Sequence, residues 1–80
     1  MLAYAGPLSA NARYRLTLQV LAEASRVETN AYHRYVAFAR IAEADDYRGI
    51  AYFFIALATS ELIHAQNYNT VQSSLGGEVN

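Results

Sequence analysis

The feature that most constrains the fold is a long stretch without a helix-breaking residue. From Ala10 to Ala44 the sequence contains neither glycine nor proline, and alanine, leucine and arginine are frequent. This composition favours one long helix over about 10–44, which Ser9 or Asn11 could cap. No stretch shows the alternation of apolar and polar residues that is typical of a strand. The sequence therefore predicts an all-α fold.

A second helix follows almost at once. Asp45 and Asp46 interrupt the helical pattern, and either could cap the next helix. Helical periodicity then continues over about 47–75, until Gly76 and Gly77 end it. We therefore expect a single domain over 1–80, formed by an antiparallel αα-hairpin with a tight turn at 45–46.

Composition limits what such a hairpin can do. Its 80 residues are 54% hydrophobic and only 16% charged, which predicts a partner chain or a metal, since so short a chain buries little surface alone. The absence of cysteine excludes disulfides, thiolate zinc sites and iron–sulfur clusters. The six arginines are scattered, which argues against nucleic acid as a partner. The longest apolar run, Ile50–Ala58, is too short to span a membrane, so we expect a cytoplasmic protein.

Each predicted helix carries an apolar seam, a line of residues at alternating steps of three and four. Charged residues interrupt both seams. The first seam comprises Tyr14, Thr17, Leu21, Ala24, Glu28, Ala31, Tyr35, Phe38 and Ala42. The second comprises Ile50, Phe54, Leu57, Glu61, His64, Tyr68, Val71 and Leu75.

The charged residues of the two seams should lie at the same distance from the turn and therefore side by side. Glu28 lies about 17 residues before the turn and Glu61 about 16 after it, so both are roughly 25 Å from the bend. Glu61 and His64 are three residues apart and share a helix face. Buried charges without a partner cost several kcal/mol, and a divalent metal would supply the partner. We therefore interpret Glu28, Glu61 and His64 as candidate metal ligands.

One hairpin supplies only half of a two-metal site. Two hairpins related by a two-fold axis would form a four-helix bundle with four glutamates and two histidines, the ligand set of ferritin-like di-metal proteins. Two divalent ions would balance the four carboxylates. The sequence therefore predicts a homodimer or a higher even oligomer that binds two metal ions per dimer. Apolar residues outside the seams leave open an assembly beyond the dimer.

The residues that carry these predictions resemble the rubrerythrin-like branch of the ferritin-like superfamily. The resemblance runs from about Leu18 to Tyr68. It rests on the run Glu28-Thr29-Asn30-Ala31-Tyr32-His33-Arg34-Tyr35, on Phe38-Ala39, on Tyr47 beside the turn, and on Glu61-x-x-His64. The chain is accordingly expected to be a single half-domain of a ferritin-like bundle.

The resemblance also implies roles for individual residues. Glu28 would be a terminal carboxylate ligand, Glu61 a bridging ligand and His64 the nitrogen ligand, with iron as the expected metal. Tyr35 would donate a hydrogen bond to a ligand carboxylate and so affect catalysis. His33 is expected at the surface or an interface, and manganese or zinc could occupy the same ligands.

Rubrerythrins usually hold two hairpins in one chain, so dimerisation would have to supply the second. Without cysteine, the chain lacks the rubredoxin domain that often delivers electrons, and an external electron donor would be needed for turnover. The extra carboxylate of peroxidase-active rubrerythrins is also absent. Three functions therefore stay open: a di-iron oxidoreductase of ferroxidase or peroxidase type, an iron-handling or other metal-binding protein without turnover, and a metal-free structural dimer.

Overall fold

The computed structural model describes residues 13–77. Two helices, α1 (Arg15–Ala44) and α2 (Arg48–Ser74), pack against each other as an antiparallel hairpin. No strand occurs among these residues, so the predicted all-α hairpin is confirmed. The predicted helix start at Ala10 and the predicted caps Ser9 and Asn11 lie outside the described residues.

The turn between the helices is set by the end of α1. Asp46 adopts a left-handed conformation with φ 64°, and its N–H donates to the Glu43 carbonyl at 3.0 Å. The Tyr47 N–H donates to the Ala42 carbonyl at 2.8 Å, which completes a Schellman motif. The prediction that Asp45 or Asp46 caps α2 is wrong, because the N-cap residue is Tyr47 and no side chain caps the helix. The aspartates instead satisfy the carbonyls of α1.

A second Schellman motif ends α2, where the sequence predicts a stop. Gly76 has φ 86°, and its N–H donates to the Ser73 carbonyl at 3.0 Å. The Gly77 N–H donates to the Gln72 carbonyl at 2.9 Å. A Cβ atom at Gly77 would lie only 2.7 Å from Cδ2 of Leu18, so glycine allows the beginning of α1 to pack on the end of α2.

Small side chains form the contact between the two helices. On α2 the buried residues Ala51, Ala58 and Ala65 recur every seven positions, and α1 buries three further alanines, Ala31, Ala39 and Ala42. Alanine at a contact allows two helix axes to approach closely, which displaces larger side chains to the flanks. The most buried line of α2 therefore lies beside the predicted seam and not on it.

The larger seam residues flank this contact and stay partly exposed. Phe38, Ile50 and Val71 retain 43%, 49% and 45% of their accessible surface. The described residues include no large side chain that is fully buried. A single hairpin thus covers its alanines and leaves an apolar face open beside them. Neither described helix is long and apolar enough to cross a membrane.

Candidate metal centre

Three side chains that the sequence singles out project onto this open apolar face near the middle of the hairpin. Glu28 comes from α1, and Glu61 and His64 come from successive turns of α2. A spacing of three residues places Glu61 and His64 on the same side of the helix. The antiparallel pairing of the helices then sets Glu28 opposite them.

The three side chains converge closely. One donor atom from each lies within 4.8 Å of the other two. His64 Nδ1 is 3.2 Å from Glu61 Oε1 and 3.8 Å from Glu28 Oε2. The predicted convergence of the two carboxylates and the imidazole is confirmed, while their role as metal ligands stays a prediction.

The electrostatic balance of the cluster favours an added cation. The pKa of Glu28 is raised, first by a hydrogen bond with the neighbouring Glu61 carboxyl, then by burial and by charge repulsion from Glu61, while His64 partly lowers it. Within residues 13–77 no arginine forms an ion pair with either carboxylate, and Arg26 is occupied by Glu23. Among the described residues, His64 is the one basic group in contact with the pair. The cluster therefore lacks the positive charge that two carboxylates need.

This imbalance predicts a pH dependence of stability. Without metal, the contribution of Glu28 to the free energy of unfolding is expected to fall as the pH rises above about 4, because folded Glu28 binds its proton more tightly than unfolded Glu28. The folded state holds the extra proton only below its raised pKa, so the stabilisation is lost as the pH passes through that value. Bound metal should reverse the trend, since ligation requires deprotonated carboxylates.

Thermal melts in the presence of a chelator, recorded between about pH 4 and pH 7, measure this effect. Glu28→Gln should show a flatter pH dependence, because an amide does not ionise. If the parent and Glu28→Gln gave the same slope, the assignment of the effect to Glu28 would be wrong.

The geometry suits a small divalent ion. Donor atoms that bind one ion at about 2.1 Å lie roughly 3 Å apart in an octahedral arrangement. The separations of His64 from Glu61 and Glu28, 3.2 and 3.8 Å, are close to that spacing, and all three donor atoms lie within 4.8 Å of one another, so modest side-chain movements would allow three coordination bonds. The His64 side chain is 50% exposed and each glutamate side chain 21%, which leaves the remaining coordination positions accessible from the open face.

Comparison with known proteins identifies the family of the chain. The family model described as Rubrerythrin matches residues 19–80. The chain belongs to the rubrerythrin family. No curated protein and no solved structure matches the chain. Rubrerythrins typically bind iron, and this rubrerythrin-family chain holds a candidate group of two carboxylates and one histidine.

Tyr35 and His33 lie outside the cluster. The ring of Tyr35 stacks on Phe54, with ring centroids 6.1 Å apart. Within the described hairpin its hydroxyl makes no hydrogen bond to a carboxylate, so the hydrogen-bonding role implied for Tyr35 stays a prediction. His33 is exposed and makes an edge contact with Tyr32. This position agrees with the expectation that His33 is a surface residue.

Sequence reasoning missed one polar contact between the helices. The Ser25 hydroxyl donates to Asn69 Oδ1 at 2.8 Å, and Ser25 is buried. Neither residue belongs to a predicted seam. In the sequence they are marked only as a small and an amide side chain near the buried alanines. This pattern is too common to indicate a specific contact. The bond fixes the alignment of the two helices about one turn from Glu28, on the side away from the connection at 45–47.

Proposed function

We propose that the chain is a non-haem di-iron carboxylate protein whose two-metal centre forms at a homodimer interface. The observation that supports this most strongly is the convergence of Glu28, Glu61 and His64 on an apolar face, where no arginine within residues 13–77 pairs with either carboxylate. A polar cluster with a purely structural role would be unfavourable at this position, because burying it in a dimer would cost several kcal/mol.

The dimer completes the ligand set. Ferritin-like di-iron sites use one glutamate from each of two helices and a Glu-x-x-His pair from each of the other two. One hairpin provides half of that set, and its two-fold copy provides the other half. The partly exposed seam residues around the cluster would then form the core of the bundle. The expected content is about two iron ions per dimer, although manganese or zinc could use the same ligands.

The side chains would take distinct roles in such a centre. Glu61 would bridge both ions, Glu28 would bind one ion terminally, and His64 would supply its nitrogen. Bound iron supplies one-electron redox chemistry toward dioxygen or peroxide. Coordination positions that the protein ligands leave free would take the oxidant, and the surrounding apolar side chains would limit water. We infer a ferroxidase- or peroxidase-type activity, with electrons for repeated turnover from an external donor.

Oxidation of added Fe²⁺ under air tests the activity. His64→Ala should lower the initial rate by about tenfold or more, because it removes a ligand. The matched control is His33→Ala, since His33 is the only other histidine and is exposed. Equal rates in the parent and His64→Ala would refute the proposed activity. If the parent bound iron but did not oxidise it, an iron-handling protein without turnover would be the better description.

The predicted role of Tyr35 has its own test. Tyr35→Phe should retain the ring contact with Phe54 and the metal content, but change the rate of Fe²⁺ oxidation by about tenfold because the hydroxyl is lost. Tyr52→Phe, at a residue that is 78% exposed, serves as the control. An unchanged rate, or loss of metal from Tyr35→Phe, would show that the hydroxyl does not act as proposed.

A further inference from the structure

All three candidate ligands of a site come from one and the same hairpin. Glu28 and Glu61 each provide a carboxylate oxygen and His64 an imidazole nitrogen, all within 4.8 Å. Three protein ligands with open positions are a common way to hold one divalent ion. A single hairpin can therefore bind one ion first, without waiting for ligands from a second chain.

This first ion would change the charge of the face. Without metal, the two carboxylates make a negative patch on an otherwise apolar surface, and pairing two such faces brings four carboxylates together. One divalent ion balances both carboxylates of its hairpin. The face with its bound ion, here called the loaded face, is then apolar and close to neutral. Such a surface is buried at low cost in free energy.

We propose that metal binding controls the pairing of two copies of this chain. The inference rests on the proposed two-metal centre and adds an order of events: each hairpin takes up one divalent ion, and the loaded faces then associate. The partner is a second copy, because the open coordination positions call for further carboxylate ligands, and an identical face presents its own Glu61 at the same height. The half-exposed side chains of Phe38, Ile50 and Val71, which belong to the same seams as the cluster, supply the apolar contact.

Sedimentation equilibrium of the full chain, with a chelator or with two equivalents of Zn²⁺ per dimer, tests this order. Zn²⁺ is chosen because it has no redox chemistry, so the readout is assembly and not activity. We expect Zn²⁺ to lower the dimer dissociation constant by about tenfold to 100-fold, the range of ordinary coupling between two binding events. Metal content measured on the same samples should be close to one ion per chain.

A charge-neutral variant sharpens the test. Glu28→Gln combined with Glu61→Gln keeps the side-chain shapes but removes both charges and the ligation. In the presence of a chelator this variant should dimerise more tightly than the parent. Added Zn²⁺ should not change its dimer dissociation constant. The matched control, Glu23→Gln combined with Glu43→Gln, changes two exposed carboxylates outside the cluster and should behave as the parent does.

The possible failures are distinct. If the parent bound about one Zn²⁺ per chain but dimerised equally well in chelator, the metal-controlled pairing would be overturned while the two-metal centre survived. If no Zn²⁺ bound, the centre itself would be wrong, and with it the inference. Since the comparison of the parent with and without metal needs no variant, the outcome does not depend on whether the double substitution folds.

Discussion

Glu61→Ala is expected to reduce the metal content from about one ion per chain to less than about a tenth of that. In the proposed centre Glu61 would bridge both ions, so in a symmetric dimer the substitution would remove two such bridges. Glu28→Ala should reduce the content less, because water can replace a terminal ligand. Since ligation contributes to folding stability, the melting temperature of the parent should fall on chelation and that of Glu61→Ala should not.

Elemental analysis after anaerobic loading with Fe²⁺ and desalting measures the metal content. Glu23→Ala is the matched control, because Glu23 is exposed on α1 and pairs with Arg26 instead of the cluster. Equal metal content in the parent and Glu61→Ala would mean that the clustered carboxylates are structural. The two-metal centre proposed at Glu28, Glu61 and His64 would then be wrong.

The helices and the position of the candidate site could both be predicted from the sequence. Helical spacing is regular, so counting residues from the turn gives the height of Glu28 and Glu61 to within about a turn. The short connection leaves the two helices no alternative to antiparallel packing. The structure accordingly brings Glu28, Glu61 and His64 together as expected.

The details that depend on close contact could not be read in the same way. Aspartate is common both as a helix N-cap and in left-handed turns, so the pattern could not tell that Asp46 ends α1 instead of beginning α2. Apolar periodicity likewise ranks large residues above alanine. It therefore indicated the seam through Leu57 and missed the line through Ala58, which is only 2% exposed.

The position of a residue relative to the seam should determine how strongly a new charge weakens the dimer. Ile50 and Ile63 are equally exposed in the hairpin, at 49% and 50%, and both lie on α2. Ile50 belongs to the seam that carries Glu61 and His64, whereas Ile63 is on another side of the helix. In a lone hairpin, glutamate at the two positions should have similar small effects. In a dimer paired through the seam, only Ile50→Glu would bury a new charge.

We therefore expect metal-loaded Ile50→Glu to dimerise at least about 100-fold more weakly than the parent, since an unpaired buried charge costs several kcal/mol. Ile63→Glu should leave the dimer constant nearly unchanged. An acidic residue in the first turn of α2 favours the helix itself, so loss of the dimer could not be attributed to a weakened helix. Light scattering that gave the same mass for both variants would contradict pairing through this face. A folded parent of 8.9 kDa at micromolar concentration would contradict the dimer, and the shared metal centre with it.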